Sequence, residues 1–345
     1  MDFDLRLLRH ARALAEHGNF ARAARSLHLT QPALSRSIQE LERRTGIKLF
    51  ERGKGGVDPT DLGRAFLERA RTLLGHAETL EREVALLRGT GTGQLVVGSG
   101  TFPSVMFMGR AVATFLESNP KVGLRLVNDS WLNLLGALRR GETDLIVAGE
   151  PPPDATAELC VTRLSERPGR FLVRPGHPLS RRDRPTLSDV LAYPLASIAR
   201  LPPGVTDALL SARGARDSGR ALPDLGCDSV GLMKQVVAAT DHVLMTPLCA
   251  AADELATGSL LALPVVEPGI RATFAIAWLG KRSLPPVAEA FVRAVVAADL
   301  QSAREEIDLE ARFVGRTRAG KRPVATARRP KAGAPLVPTA ASSGA

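Results

Sequence analysis

Residues 18–52, GNFARAARSLHLTQPALSRSIQELERRTGIKLFER, constrain this chain more than any other stretch. Two short helical patterns follow one another with a tight turn between them. Asn19 is placed to cap a helix from Phe20 to about Leu27, and Ala23 and Ala24 are small enough for another helix to pack closely. His28-Leu29 forms the turn. Thr30 caps the second helix, with Pro32 tolerated in its first turn, where backbone N–H groups lack intrahelical partners. Leu34, Ile38 and Leu41 recur at i, i+4, i+7 as the buried stripe, and the other side carries Gln31, Pro32, Ser35, Arg36, Gln39 and Arg43. Such a helix suits the major groove of double-stranded DNA. Gln31 can pair bidentately with an adenine edge, the ring of Pro32 can touch a thymine methyl, and Ser35 and Arg36 can reach bases or phosphates. The segment that follows reads as a β-wing, in which Arg52 and Lys54 beside Gly55-Gly56 suit phosphate or minor-groove contact. A solvated helix with outward arginines is the plainer alternative, but it leaves the turn and the wing unexplained.

The set Ala23-Ala24, Leu27, Thr30-Gln31-Pro32-Ala33-Leu34-Ser35, Ile38, Leu41-Glu42, Gly46 and Leu49-Phe50-Glu51-Arg52 resembles the DNA-binding domain of LysR-type transcriptional regulators. One departure from the general helix-turn-helix pattern is His28, where many such turns carry Gly. Charge agrees with a separate reader. Of the net +10, residues 1–60 hold +4, residues 316–345 hold +7 and the middle is −1. A basic reader joined to a neutral body fits this better than a uniformly basic nucleic-acid coat. The N-terminus runs directly into Phe3, Leu5, Leu7, Leu8 and Ala11 at helical spacing, and no apolar run reaches the length of a membrane span, so a cytoplasmic protein without a membrane partner is expected.

From Thr60 the pattern becomes one long helix. Leu62, Phe66, Ala70, Leu73, Ala77, Leu80, Val84 and Leu87 step by three or four residues, which predicts a coiled-coil seam, with Gly89–Gly93 as a hinge. About 28 residues make a rod of roughly 40 Å. In the resembled family the equivalent helix dimerises, which implies a homodimer or homotetramer joined through Leu62, Phe66, Leu73, Leu80, Val84 and Leu87.

Two α/β halves follow. Strands at 95–98, 122–127 and 145–146 alternate with helices at about 105–116 and after Ser130, which predicts a mainly parallel sheet covered on both faces. Phe171-Leu172-Val173 and His177-Pro178-Leu179 open a second half, which continues through Leu187–Leu191, a helix at 229–239 and the strand Val243-Leu244-Met245. Thr273–Trp278 and a helix at 285–300 return to the first half. This is similar to the family's effector domain, a hinged two-lobed fold shared with periplasmic solute-binding proteins, with Gly141–Ile146 and His177-Pro178-Leu179 as the landmarks. The expected class is therefore α plus α/β. It comprises a winged helix-turn-helix (1–60), a linker and dimerisation helix with hinge (61–90) and an effector-binding domain (91–300). Lobe I is about 91–163 and 266–300, and lobe II about 164–265. A helix extension and a disordered basic tail make up 301–345.

Open α/β sheets bind ligands beyond the carboxyl ends of their strands. Ser99 and Thr101, and separately Ser130, stand at such ends beside predicted helix starts, where hydroxyls and free N–H groups suit a carboxylate. Helix capping is the simpler role for each. The resemblance places inducer contacts in the same two loops. Arg200, Pro202 and Thr246 are weaker candidates from the second lobe.

Catalysis finds no footing. The six histidines show neither i,i+4 pairing nor metal spacing, Gly98-Ser99-Gly100 is neither a nucleophile elbow nor a complete dinucleotide fingerprint, and Gly53-Lys54-Gly55-Gly56 lacks the P-loop frame. No cofactor is expected. Cys160, Cys227 and Cys249 are far apart, read as small buried hydrophobes, with a redox switch through Cys227 and Cys249 as the alternative. The expected function is regulation of transcription by a DNA-binding protein whose state is set by a small inducer, with RNA polymerase as an open partner. The alternative is a small-molecule-binding protein or enzyme of the two-lobed fold without a transcriptional role. It would need a signal peptide or a catalytic constellation in place of the first 60 residues.

Overall fold

A computed structural model describes residues 4–53, 56–87, 94–151, 153–213, 221–280 and 284–314. The chain divides into two compact units, Met1–Gln94 with Gly136–Asp144, and Leu95–Leu135 with Leu145–Ala345.

The first unit opens with α1 (Leu5–His17), capped by the Asp4 carboxylate and ended by Gly18 in the left-handed region. Asn19 accepts from the N–H groups of Ala21 and Arg22 to start α2 (Phe20–Ser26), and Thr30 accepts from Ala33 N–H to start α3 (Gln31–Thr45). Between them His28 takes φ 55, the left-handed conformation for which histidine is one of the better tolerated non-glycine residues. The three helices bury Leu7, Leu8, Ala11, Leu14, Ala23, Ala24, Leu34, Ile38 and Leu41 in one core. Truncating a fully buried member such as Leu34 to Ala would cost about 2–5 kcal/mol.

The wing is β1 (Phe50–Gly53) paired antiparallel with β2 (Gly56–Pro59), Phe50 opposite Pro59. It is tied to the end of α1. Val57 N–H donates to Gly18 O at 2.9 Å, and a Cβ on Gly56, at φ 148, would meet that oxygen at 2.3 Å.

α4 (Asp61–Leu87) starts where the Thr60 hydroxyl accepts from Gly63 N–H at 2.9 Å. The single seam expected from spacing is divided in the structure. Leu67, Ala70 and Leu74 turn inward into the core shared with α1, while Leu62, Leu73, Leu80 and Val84 stay exposed and Phe66 is half-buried. Ala70 thus serves the chain's own core, because α1 must cover its apolar face with one side of α4. The side chain of Leu87 lies outside the described residues. Gly136–Asp144, read from sequence as part of lobe I, packs with this unit. Thr79 Oγ1 donates to Gly141 O at 3.0 Å, and a Cβ on Gly75 would fall 1.6 Å from Arg140 O.

The second unit contains β3 (Gln94–Ser99), α5 (Thr101–Met106), α6 (Met108–Ser118), β4 (Gly123–Asn128), α7 (Trp131–Arg139, which runs on into the first unit), β5 (Leu145–Gly149) and β6 (Leu159–Arg163). The one helix expected at 105–116 is two, broken at Phe107. Met106, Phe107 and Met108 are all buried, and three consecutive side chains cannot share one face of a continuous helix. The chain crosses to the second lobe through β7 (Arg167–Pro168) and builds β8 (Arg170–Val173), α8 (Leu187–Val190), β9 (Leu195–Ser197), α9 (Pro203–Arg213), β10 (Leu225–Gly226), α10 (Val230–Ala239), β11 (Val243–Thr246), α11 (Ala252–Thr257) and β12 (Leu261–Ala262). It returns through β13 (Arg271–Ala272), β14 (Phe274–Leu279) and α12 (Pro286–Leu309).

The sheets run β4-β3-β5-β14-β6 and β10-β9-β11-β8-β12. Neither is mainly parallel. β3–β5, β9–β10 and β9–β11 are parallel, but β14 is antiparallel to both neighbours and β8 to β11 and β12. The double crossing through the antiparallel pair β7–β13 brings β14 back in the reverse direction. A shared apolar cluster runs through both lobes, joining Val97, Phe102, Met106 and Phe274 to Leu172, Leu244, Leu248 and Ala250. α12 runs on past residue 300 as a helix extension, is followed by a π-helical turn at Glu310–Val314, and bridges the lobes with buried polar groups. The basic tail from 315 lies outside the described residues.

Candidate functional site

The outward face of α3 presents Thr30, Gln31, Pro32, Arg36, Gln39 and Arg43 to solvent, with Ser35 half-buried among them, opposite the buried Leu34, Ile38 and Leu41. The sequence grouping is therefore brought together on one helix face. Arg43 is not free: its Nε and Nη2 each donate to Glu40 at 2.8 Å, and Arg44 Nε donates to the same carboxylate at 2.6 Å. Those hydrogen bonds hold the Glu40 carboxyl down at about 2 and raise the Arg43 guanidinium. Since Glu40 is solvent-facing, the pair adds little stability and can exchange for a phosphate. Arg52 lies in β1 but its side chain, like all of Lys54, lies outside the described residues. Sequence reasoning passed over Glu40 and gave Glu42 no role beyond its place in the family pattern. The signal was there: Glu40 stands three and four residues before two arginines.

In the second unit Ser99 and Ser130 are neighbours through the backbone, Asp129 N–H donating to Ser99 O at 3.2 Å. The side chains differ from the expectation. Ser99 is buried, caps nothing, and sends its hydroxyl to Gly100 O at 3.4 Å; the residue at the cap position of α5 is Gly100. Thr101 is the first residue of α5 and half-exposed. At the start of α7, Asp129 Oδ1 accepts from Ser130 N–H at 2.7 Å and from Asn133 Nδ2 at 2.8 Å, so a carboxylate of the chain itself already faces that helix start. Ser130 Oγ accepts only a long bond from Asn133 N–H, 3.5 Å.

The second lobe offers less than expected. Arg200 is exposed beyond β9; Pro202, also exposed, accepts from Val205 and Thr206 N–H to begin α9. Thr246 is buried at the end of β11 and turned to Pro247 O. The donors after it, Leu248 N–H and Cys249 N–H, are taken by the two oxygens of Glu306, each at 2.8 Å. The Thr246 hydroxyl and the two N–H groups that follow it in this turn thus have partners within the chain. Burial, together with the Glu306 charge, pushes the Cys249 thiol up to about 12, which favours the packing role for this cysteine over a redox one. Among the described residues no helix is long and apolar enough to cross a membrane, and no three His, Cys, Asp or Glu side chains form a group that could hold a metal ion.

A winged helix-turn-helix on one unit and a two-lobed α/β body on the other define a class of DNA-binding regulators built from two modules. Residues 5–64 match the family model "Bacterial regulatory helix-turn-helix protein, lysR family", and residues 88–299 match "LysR substrate binding domain". The chain is 40% identical over 292 residues to the SDS degradation transcriptional activation protein of Pseudomonas sp. (strain ATCC 19151), which covers 83% of this chain and 94% of that one. It is 31% identical over 304 residues to the HTH-type transcriptional regulator CbbR of Sinorhizobium medicae (strain WSM419), covering 85% and 93%. Among solved structures, full-length CbnR complexed with target DNA matches with a TM-score of 0.64 at 22% identity, covering 86% of this chain and 100% of that one. This chain belongs to the LysR family of bacterial transcriptional regulators, and its fold is that family's.

Proposed function

We propose that this regulator reads its operator with Thr30, Gln31, Pro32, Ser35, Arg36, Gln39 and Arg43, with Arg52 and Lys54 of the wing on the flanking backbone. The observation that carries this is the outward face of α3, where amide, hydroxyl and guanidinium groups stand together in solvent opposite a sealed apolar stripe. Two readers are joined through the exposed Leu62, Leu73, Leu80 and Val84, continued by Phe66 and Leu87, into a homodimer or homotetramer. A small inducer binds in the second unit at the Ser99–Thr101 and Ser130 loops, with Arg200 and Pro202 opposite, and tightens α5 against Leu248–Ala251, the segment it packs on. The protein acts in the cytoplasm without catalysis and without a cofactor, and its contact with RNA polymerase follows from the geometry of the bound dimer. The name of the Pseudomonas relative makes alkyl sulfates a rational first panel beside simple carboxylates.

The direct test is Gln31→Ala, measured against the promoter fragment that the full chain protects and against random DNA. Loss of a bidentate base contact is expected to weaken specific binding by about 1–3 kcal/mol and leave nonspecific binding unchanged. Equal losses on both DNAs would make Gln31 a backbone contact only.

A further inference from the structure

The Leu49–Phe50 corner, between α3 and the wing, is held by a side-chain carboxylate. Glu42, near the end of α3, turns Oε1 toward it and accepts Leu49 N–H at 2.7 Å and Phe50 N–H at 3.1 Å. Leu49 and Phe50 are buried, at 0% and 5% exposure, so these two donors are shut away from water and depend on that oxygen. The other side of the same corner is held by α4. Leu49 O accepts from Thr60 N–H at 3.0 Å, and the Thr60 hydroxyl donates to Lys48 O at 2.7 Å while accepting Gly63 N–H at 2.9 Å. Gly63 approaches so closely that a Cβ there would sit 2.0 Å from Leu49 O. Lys48–Phe50 is thus pinned from the recognition helix by one carboxylate and from the long helix by Thr60 and Gly63.

We infer that Glu42 is a positioning residue for DNA recognition. Through Leu49 it sets the angle between α3 and α4, and in paired readers that angle fixes the separation of the two recognition helices. The inference rests on the pairing proposed above. A charged acceptor is suited to this because one oxygen satisfies two converging N–H groups in a single place, whereas packed side chains alone would allow the corner to slide. Glu42 touches no base in this role. It governs which half-site spacing the dimer accepts.

The experiment uses the full chain, the promoter fragment it protects in footprinting, and the same fragment with one base pair inserted or removed between the half-sites. One base pair moves a half-site by about 3.4 Å and turns it by roughly 35°, so a rigid dimer should prefer its own spacing by about thirtyfold. Glu42→Ala is expected to reduce that preference to about threefold, and Glu42→Gln, which keeps one carbonyl oxygen, to retain most of it. Gly63→Ala should alter the same ratio from the α4 side. Partial unfolding lowers affinity for all three fragments alike and leaves the ratio untouched, so the ratio separates positioning from stability. If Glu42→Ala does not fold, Glu42→Asp, one methylene shorter, carries the same test. A dimer whose spacing ratio is unmoved by these changes overturns the role of Glu42 alone. A chain that sediments as a monomer on the bench and on DNA overturns the pairing, and the spacing role with it.

Discussion

Arg43 and Arg167 are both paired with carboxylates, yet the two pairs are built for opposite ends. Arg43 and its partner Glu40 stand on the outer face of the recognition helix, 72% and 32% exposed along their side chains, and a phosphate can take the place of Glu40 beside Arg43. Arg167 and Asp299 are 0% and 2% exposed. There the guanidinium donates to Asp299 Oδ1 at 2.8 Å, Asp299 O at 2.9 Å and Ser165 O at 2.8 Å, and Asp299 Oδ2 accepts from both the amide and the hydroxyl of Ser165. Eleven residues on, in the π-helical turn that follows α12, Glu310 holds Arg170 of β8 through two further bonds. The reader keeps its charges exchangeable because its partner is a polyanion. The two-lobed body locks its charges inside, where they fix the crossing strand β7 and the first strand of lobe II to α12 and the turn that follows it.

The largest test of this contrast removes one buried partner. Asp299→Ala leaves a guanidinium uncompensated in the interior and should destabilise the second unit by about 3–5 kcal/mol. Arg167→Met with Asp299→Leu, which removes both charges and keeps volume, should recover much of that loss. Glu40→Ala, on the reader, should leave stability almost unchanged. Urea unfolding of the three variants decides the matter. An Asp299→Ala protein as stable as the parent would show that the buried pair is not the tie described.

The next effect concerns the exposed face of α4. Lys at both Leu73 and Leu80 places like charges across any seam formed by two copies and removes its apolar contact. Binding to a two-half-site operator should fall about a hundredfold as the second reader is lost, while the effector unit still folds. Sedimentation reads the cause. An oligomer as large as the parent would put the pairing surface elsewhere.

Legibility from sequence follows the range of the interactions. The reader was legible because its determinants are local: Asn19 and Thr30 cap within three residues, and Leu34, Ile38 and Leu41 declare their face by spacing alone. The body was legible in outline only. The apolar run Val105–Met108 does not say which of its side chains are buried or that the helix breaks at Phe107, and nothing near β14 announces its reversed direction. The filling of the Thr246 turn by Glu306 spans 58 residues, and the Arg167–Asp299 tie spans 132. The α4 stripe was misdivided for a related reason: spacing gives a face, but not which of two partners will cover it.

A smaller effect probes the inducer loops. Ser99→Ala with Thr101→Val removes the hydroxyls proposed to hold an anionic group, each worth roughly 1.5–3 kcal/mol if bonded to charge. Inducer response in a promoter reporter should disappear while operator binding persists. Because Ser99 is buried and Thr101 half-exposed, Thr101→Val alone should account for most of the loss. A double variant with a normal response would move the site away from these loops.

The smallest effect is a difference in pH dependence between the two units. Burial raises the Glu306 carboxyl above its ordinary 4.5, against the downward pull of the Cys249 and Leu248 donors, with Glu310 adding to the rise. A carboxyl raised in the folded state binds more protons there than in the unfolded chain, so the stability of the body falls as pH rises from 4.5 through the raised value and levels off above it. Glu40 works in the other direction. Its carboxyl, held at about 2 by Arg43 and Arg44, favours the folded reader above 4.5, and that contribution is lost only as pH falls toward 2. The Cys249 thiol, at about 12, is silent throughout this range and does not blur the comparison. Urea unfolding at pH 5, 6, 7 and 8 on the full chain and on Glu306→Gln isolates the buried group, because every other titration cancels in the difference. The parent should lose stability relative to the variant as pH rises over its window. Parallel curves would mean that Glu306 keeps its ordinary value, held down by the two backbone donors, and that α12 ties the lobes with a charge rather than with a proton-sensitive carboxyl.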